Sequence, residues 1–237
     1  MTDVKKWKLA LIAGLAVPAL ALTACSSDDG DSGAGPDTSS DSASDSSTED
    51  TDSGATSDIT FDGAPDGFEL TSPGSRLSLD DTGHVVTRHR EGPTMFWAIT
   101  PGEMRDLPAD AAELQDGNDD VDHFVCLDYD ITYLGEGSDG TNPEDASVVS
   151  TPRLSAVGED GYGANSIFMD MGNTCGIHEA DELPSTSESL TVDKTYKASI
   201  LSFVAKDENA GVDPTGLRFG FQTDIPGLDG AEDIYWN

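Results

Sequence analysis

The sequence predicts an all-β protein folded as an antiparallel β-sandwich, and three observations carry that expectation. Val125, Leu127, Tyr129, Ile131 and Tyr133 alternate with Cys126, Asp128, Asp130 and Thr132, the period of two that gives a strand one buried and one wet face. Leu217, Phe219 and Phe221 alternate with Arg218, Gly220 and Gln222 in the same way. Between such runs stand Gly, Pro and Asp instead of amphipathic helical patterns, and many short strands without helices pack as two sheets face to face.

The chain opens with Lys5, Lys6 and Lys8, followed by an apolar run of 14 residues from Leu9 to Leu22. Small residues then lead into Cys25. A positive segment, a short apolar segment and a small-residue cut site define a secretory signal peptide, here residues 1–24. A spanning helix needs about 20 apolar residues, and this shorter run also contains Pro18. Leu22-Thr23-Ala24-Cys25 resembles the lipobox of bacterial lipoproteins, in which the cysteine thiol receives a diacylglycerol and becomes the mature N-terminus. The expected location is the extracytoplasmic side of the cell membrane, held by lipid at Cys25 without spanning, because two or more acyl chains anchor stably.

Residues 25–58 are expected to be a disordered linker. From 26 to 58 there are eleven serines, nine aspartates and Glu49 in 33 positions, with no basic and no large apolar residue. Such a segment cannot bury enough apolar surface to offset its ordering entropy. The whole chain has 12 basic and 46 acidic residues, a net charge of −34; removing Lys5, Lys6, Lys8 and Asp3 with the signal leaves −36. That balance disfavours a nucleic-acid partner, which requires a basic patch. Arg88-His89-Arg90 is the local positive cluster and is too small to reverse the field. An acidic, lysine-poor surface also suits salty surroundings, where charge is screened over a short distance.

Residues 59–237 hold enough chain for one sizeable domain. Strands are expected at His84–Arg88, Thr94–Thr100, Phe124–Tyr133, Val148–Val157, Ser166–Asp170, Tyr196–Val204 and Leu217–Phe221. Ala109–Gln115 predicts a helix of about two turns behind a first-turn Pro108. Long loops are expected at 135–146, 158–165 and 176–189. Of these, the Gly- and Asp-rich 135–146 and the 158–165 loop, with Tyr162 between two glycines, are the candidate contact surfaces.

Pro73-Gly74-Ser75-Arg76-Leu77, Phe96-Trp97-Ala98-Ile99, Asp106-Leu107 and Phe124–Leu134 together resemble extracellular lipoproteins of actinobacteria. Those carry an uncharacterised immunoglobulin-like domain related to the secreted mycobacterial antigen fold. In that family an acidic, Ser-rich linker follows the lipobox, and an early strand of the type Tyr-x-Val-x-x-x-Val-x-Asn precedes a later, glycine-introduced one. The counterparts here are Phe124–Tyr133 and Thr195–Val204, so the likeness covers most of 70–222. Leu134-Gly135-Glu136-Gly137 departs from it, replacing an Asn-Thr-Gly-like turn. The resemblance implies an immunoglobulin-like antiparallel β-sandwich and no catalytic residues.

With Cys25 taken by lipid, Cys126 and Cys175 are an even pair, and two cysteines in an exported domain point to a disulfide. Cys126 lies on the polar face of its strand, so its partner is expected from a loop folded over that face and not from the opposite sheet. An alternative is metal binding, since His123-Phe124-Val125-Cys126 and Cys175-Gly176-Ile177-His178 offer two imidazoles and two thiolates, a zinc donor set. Against it stand an oxidising compartment and the geometry of a strand, where positions i and i+3 face opposite sides. Asp116-Gly117-Asn118-Asp119-Asp120-Val121-Asp122 spaces oxygens as a calcium loop does, but Val121 stands at the position of the glycine and Leu127 at that of the bidentate glutamate. Neither a Gly-x-Ser-x-Gly elbow nor a His-Glu-x-x-His run occurs, and His84 and His89 fall on opposite faces if they share one strand.

The expected function is that of a membrane-tethered, non-catalytic binding or interaction module for a protein or envelope ligand. It needs no cofactor beyond its covalent lipid. The alternatives are an envelope hydrolase or metal-dependent enzyme with a site assembled from distant loops, and a purely structural envelope protein whose charge is the adaptation.

Overall fold

A computed structural model describes residues 57–237 except 115–116, 143, 168–171, 208–209 and 223. The signal peptide, Cys25, nearly all of the linker, Asp116 and the end of the expected Ser166–Asp170 strand lie outside the described residues. Among the described residues eight strands are formed: β1 (Arg76–Leu77), β2 (Gly83–Arg88), β3 (Thr94–Pro108), β4 (Val121–Glu136), β5 (Leu154–Val157), β6 (Thr195–Ala205), β7 (Gly216–Phe219) and β8 (Ile234–Trp236). They make two four-stranded sheets, in the orders β2-β3-β4-β6 and β1-β8-β7-β5.

The alternating residues of β4 explain why the sheets meet. Val125, Leu127, Tyr129, Ile131 and Tyr133 all enter one core with Val85, Trp97 and Ile99 from the same sheet and Leu217, Phe219, Ile234 and Trp236 from the other. Each such side chain stabilises the fold by about 1.5–3 kcal/mol when fully buried. Both core indoles keep their N–H bonded: Trp97 Nε1 donates to Thr87 Oγ1 at 2.8 Å, and Trp236 Nε1 to the Asp81 carbonyl at 3.1 Å. Thr87 in turn donates to the Ser150 carbonyl, so this buried polar chain ends on backbone.

The sandwich is not antiparallel throughout. β1 pairs with β8 in parallel, Arg76 opposite Tyr235 and Leu77 opposite Trp236, whereas the remaining pairs are antiparallel. Parallel neighbours cannot be joined by a tight turn; here the whole of β2 to β7 intervenes between them.

The second face of the larger sheet is wet only in its middle. At one end Val86 and Phe96 lie under a cover of Ile59, Phe61, Phe68 and Leu70 from the start of the domain and Ile225 and Leu228 from near its end. At the other end Phe124, Cys126 and Leu201 lie under Ala109, Ala112, Leu114, Ile167 and Cys175. Between these covers run polar rows. Thr132 and Thr195 share a hydrogen bond of 2.8 Å, and Lys197 Nζ meets Asp130 at 2.9 Å.

The expected helix over Ala109–Gln115 is absent from the described 109–114, and Pro108 ends β3 instead of opening a helix. Asn118 supplies the reason. Its amide donates to the carbonyls of Ala109 and Ala112 at 2.7 and 2.5 Å, and its oxygen accepts from Leu114 N at 3.0 Å, so one side chain satisfies backbone groups a helix would use. β3 also runs past Pro101 by means of a bulge between Pro101 and Met104, the irregularity at which a strand tolerates proline. Of the expected Val148–Val157 strand, β5 keeps only the last four residues.

Candidate binding surface

The residues singled out as sites fall into separate places. Cys126 on β4 and Cys175 in the loop before β6 are disulfide-bonded, with an S–S distance of 2.08 Å. The partner does come from a segment lying over the outer face of β4. Arg105 ties that segment to the sheet: its Nη2 donates to the Cys175 carbonyl at 2.7 Å and its Nε to Asp128 at 2.5 Å. This hydrogen bond to Asp128 also raises the Arg105 pKa further.

The bond between the sulfurs consumes both thiols of the four-ligand zinc reading. The histidines have partners of their own. His123 Nδ1 lies 2.8 Å from Asp122, and His178 Nδ1 accepts from Ala180 N at 3.1 Å, capping the short 3-10 helix Glu179–Asp181. In the acidic run considered for calcium, Asn118 is occupied by the backbone of 109–114, and Lys206 Nζ donates to the Asp119 carbonyl at 2.7 Å. Among the described residues no group of three or more His, Cys, Asp or Glu is arranged to hold a metal. His84 bonds the Glu69 carbonyl at 3.2 Å, while His89 faces Asp145 at 3.9 Å.

The 135–146 loop is pinned. Asp139 accepts from Thr94 N and Thr94 Oγ1, both at 2.8 Å, and pairs with Arg88 at 3.4 Å. Asp145, largely buried, is within 3.9 Å of both His89 and Arg90. The Arg88-His89-Arg90 cluster is therefore directed onto two aspartates of this loop. In the 158–165 loop, Gly158–Gly161 forms a turn closed by Gly161 N to the Gly158 carbonyl at 2.8 Å, and Tyr162 beyond it is 72% exposed.

That turn leads to a surface unforeseen in the sequence. Arg76, Tyr235 and Arg218 stand in one cross-strand row on β1, β8 and β7 of the smaller sheet. The Arg76 guanidinium lies 5.0 Å from the Tyr235 ring centroid, a cation–π contact. Gly161 packs against the same ring, so that a Cβ there would sit 3.1 Å from Tyr235 Cε1. Beside the row opens a groove of about 470 Å³ lined by Gly74, Arg76, Ala231, Glu232, Asp233 and Tyr235. Asp233 pairs with Arg218 at 3.4 Å. Gly74, at φ +83°, lets its chain turn close under Glu232; a Cβ there would stand 2.6 Å from Glu232 Oε2. The groove thus combines one exposed cation, one exposed carboxylate and one internal ion pair around an aromatic wall.

Two core tyrosines have shifted acidities. Burial pushes Tyr129 up to about 12, and burial with the nearby Glu136 and Tyr196 does the same for Tyr133. Both belong to the packed interior and not to the groove. No helix among the described residues is long and apolar enough to cross a membrane. Comparison of the chain with protein-family models, with curated proteins and with solved structures finds no match.

Proposed function

We propose that this chain is a lipid-anchored extracytoplasmic protein whose sandwich is a non-catalytic binding module, with the Arg76–Tyr235 groove as its contact surface. The observation that carries the reading is the groove itself: Arg76 is oriented by Tyr235, and Glu232 sits against Gly74, on a sheet packed into the main core. A guanidinium, a carboxylate and an aromatic ring presented side by side on a rigid sheet favour binding. Proton-transfer chemistry would instead call for a titratable pair within hydrogen-bond reach, directly or through one water. The anchor rests on Lys5 to Cys25, and the linker that follows lifts the domain clear of the bilayer.

The domain is of the immunoglobulin-like kind carried by actinobacterial lipoproteins. Its two four-stranded sheets packed face to face support the sandwich, and the likeness to those lipoproteins rests on the sequence runs between Pro73 and Leu134. The strand-to-loop disulfide and the parallel β1–β8 pair set it apart from antibody domains, where the bridge joins the sheets.

Affinity capture tests the reading. The immobilised chain and its Arg76→Glu variant, matched in folding by circular dichroism, are exposed to solubilised envelope. The expected outcome is a component retained by the first and lost by the second. Equal retention by both removes the groove from the function, and chemical conversion of a retained component moves the protein to the enzymes.

A further inference from the structure

We infer that the groove beside β1 and β8 takes a zwitterion, an amino acid or short peptide that presents a carboxylate to Arg76 and an ammonium to Glu232. This rests on the reading of that groove as the binding surface.

Charge bookkeeping within the groove selects the class. Of its charged neighbours, Asp233 is already matched by Arg218 at 3.4 Å. Arg76 and Glu232 line the same groove, yet neither has an ion pair within 4.0 Å among the described residues, with each other or with any other group. Each exposed side chain has its own neighbour: the Arg76 guanidinium lies over the Tyr235 ring, and the Glu232 carboxylate lies against Gly74. A simple anion would satisfy Arg76 but meet Glu232 and the field of a strongly acidic chain. A simple cation would satisfy Glu232 but be repelled by Arg76. Only a ligand with both charges uses both groups.

Size and chemistry agree. About 470 Å³ lies within the range of small-ligand sites, roughly 300–1,000 Å³, and leaves room for a few residues of peptide. The guanidinium fork matches a carboxylate with two parallel hydrogen bonds, whereas the ammonium is a compact donor to a single carboxylate. Because the groove is open to water, each charge contact is weak and the dissociation constant falls in the millimolar range.

The test uses the full chain, isotope-labelled in detergent micelles, with amide shifts followed on addition of alanine, dialanine and trialanine. The best binder is then compared with its N-acetylated and C-amidated forms. Saturable shifts are expected at Gly74, Arg76 and Tyr235, with binding weakened about two- to fivefold when either end is blocked. Arg76→Gln should erase discrimination against the amide, and Glu232→Gln should erase discrimination against the acetylated form. Equal binding of free and blocked forms, or no shifts from any of the peptides at high millimolar concentration, overturns the assignment. If the peptides fail while envelope capture still depends on Arg76, the ligand class falls and the binding surface stands. If capture ignores Arg76 as well, both fall.

Discussion

The indole of Trp236 lies directly on the α-carbon of Gly83, so closely that a Cβ at Gly83 would overlap ring atom Cζ2. Gly83 opens β2 at the edge of the larger sheet, and Trp236 closes β8 of the smaller one. The contact therefore sets the spacing of the two sheets at this end of the core. Gly83→Val should cost about 3 kcal/mol or more, because overpacking of a closed core forces backbone shifts. A urea midpoint unchanged from wild type would show that the sheets can part here without cost.

Asp139 makes the second prediction. It accepts two hydrogen bonds from Thr94, whose N–H and hydroxyl are 1% exposed as a residue and have no route to water. Asp139→Ala leaves both donors unpaired and removes the ion pair with Arg88, which keeps its hydrogen bonds to the Gly92 and residue-139 carbonyls, at a cost of about 2–3 kcal/mol. Asp139→Asn keeps an acceptor and should lose less. Hydrogen exchange at the Thr94 amide reports the difference, and fast exchange in the alanine variant is the expected result.

How far the chain could be read beforehand follows from how far apart the deciding residues lie. β4 was legible because five core residues alternate within nine positions, and the face they define is the one that packs on the opposite sheet. Ala109–Gln115 was misread because its composition is helical, while the amide that overrides it belongs to Asn118, beyond the segment. β8 has three residues, too few for a period, and follows Glu232 and Asp233. The groove was invisible for a related reason. Arg76 meets Tyr235 only because the first and last strands pair in parallel, and no local pattern encodes that partner.

The disulfide closes a sequence separation of 49 residues around β4, β5 and the loops between them. In the chain-entropy account a loop of that size is worth about 4 kcal/mol. The Cys126→Ala/Cys175→Ala double variant should lose stability of that order, and the cover over Phe124 and Leu201 should loosen first. Arg105→Ala is expected to loosen the same cover with the disulfide intact, since Arg105 holds the Cys175 carbonyl independently. Non-reducing peptide mapping that recovers both cysteines as free thiols would contradict the pairing.

In the proposed lipid anchor, Cys25 bears on location alone. Cys25→Ser removes the thiol that a diacylglycerol would occupy, and the full chain should then move from the membrane to the soluble fraction. Continued membrane fractionation of the serine variant would show that something other than lipid holds the protein there.

Alkaline pH gives the last prediction, and its sign follows from the core. Tyr129 is pushed up to about 12 by burial, above an unfolded value near 10. Below pH ~10 the phenol is neutral in both states, and the full stability is present. Between pH ~10 and ~12 the unfolded chain loses this proton while the folded chain keeps it, so stability falls as pH rises. Two pKa units correspond to a loss of about 3 kcal/mol from Tyr129 alone. Tyr133, also pushed up to about 12, adds in the same direction. Urea midpoints measured across that interval should decline steeply for the wild type and less steeply for Tyr129→Phe, which has no proton to release. Identical slopes would mean that Tyr129 ionises in the folded state as readily as in water, and that the core at β4 admits solvent.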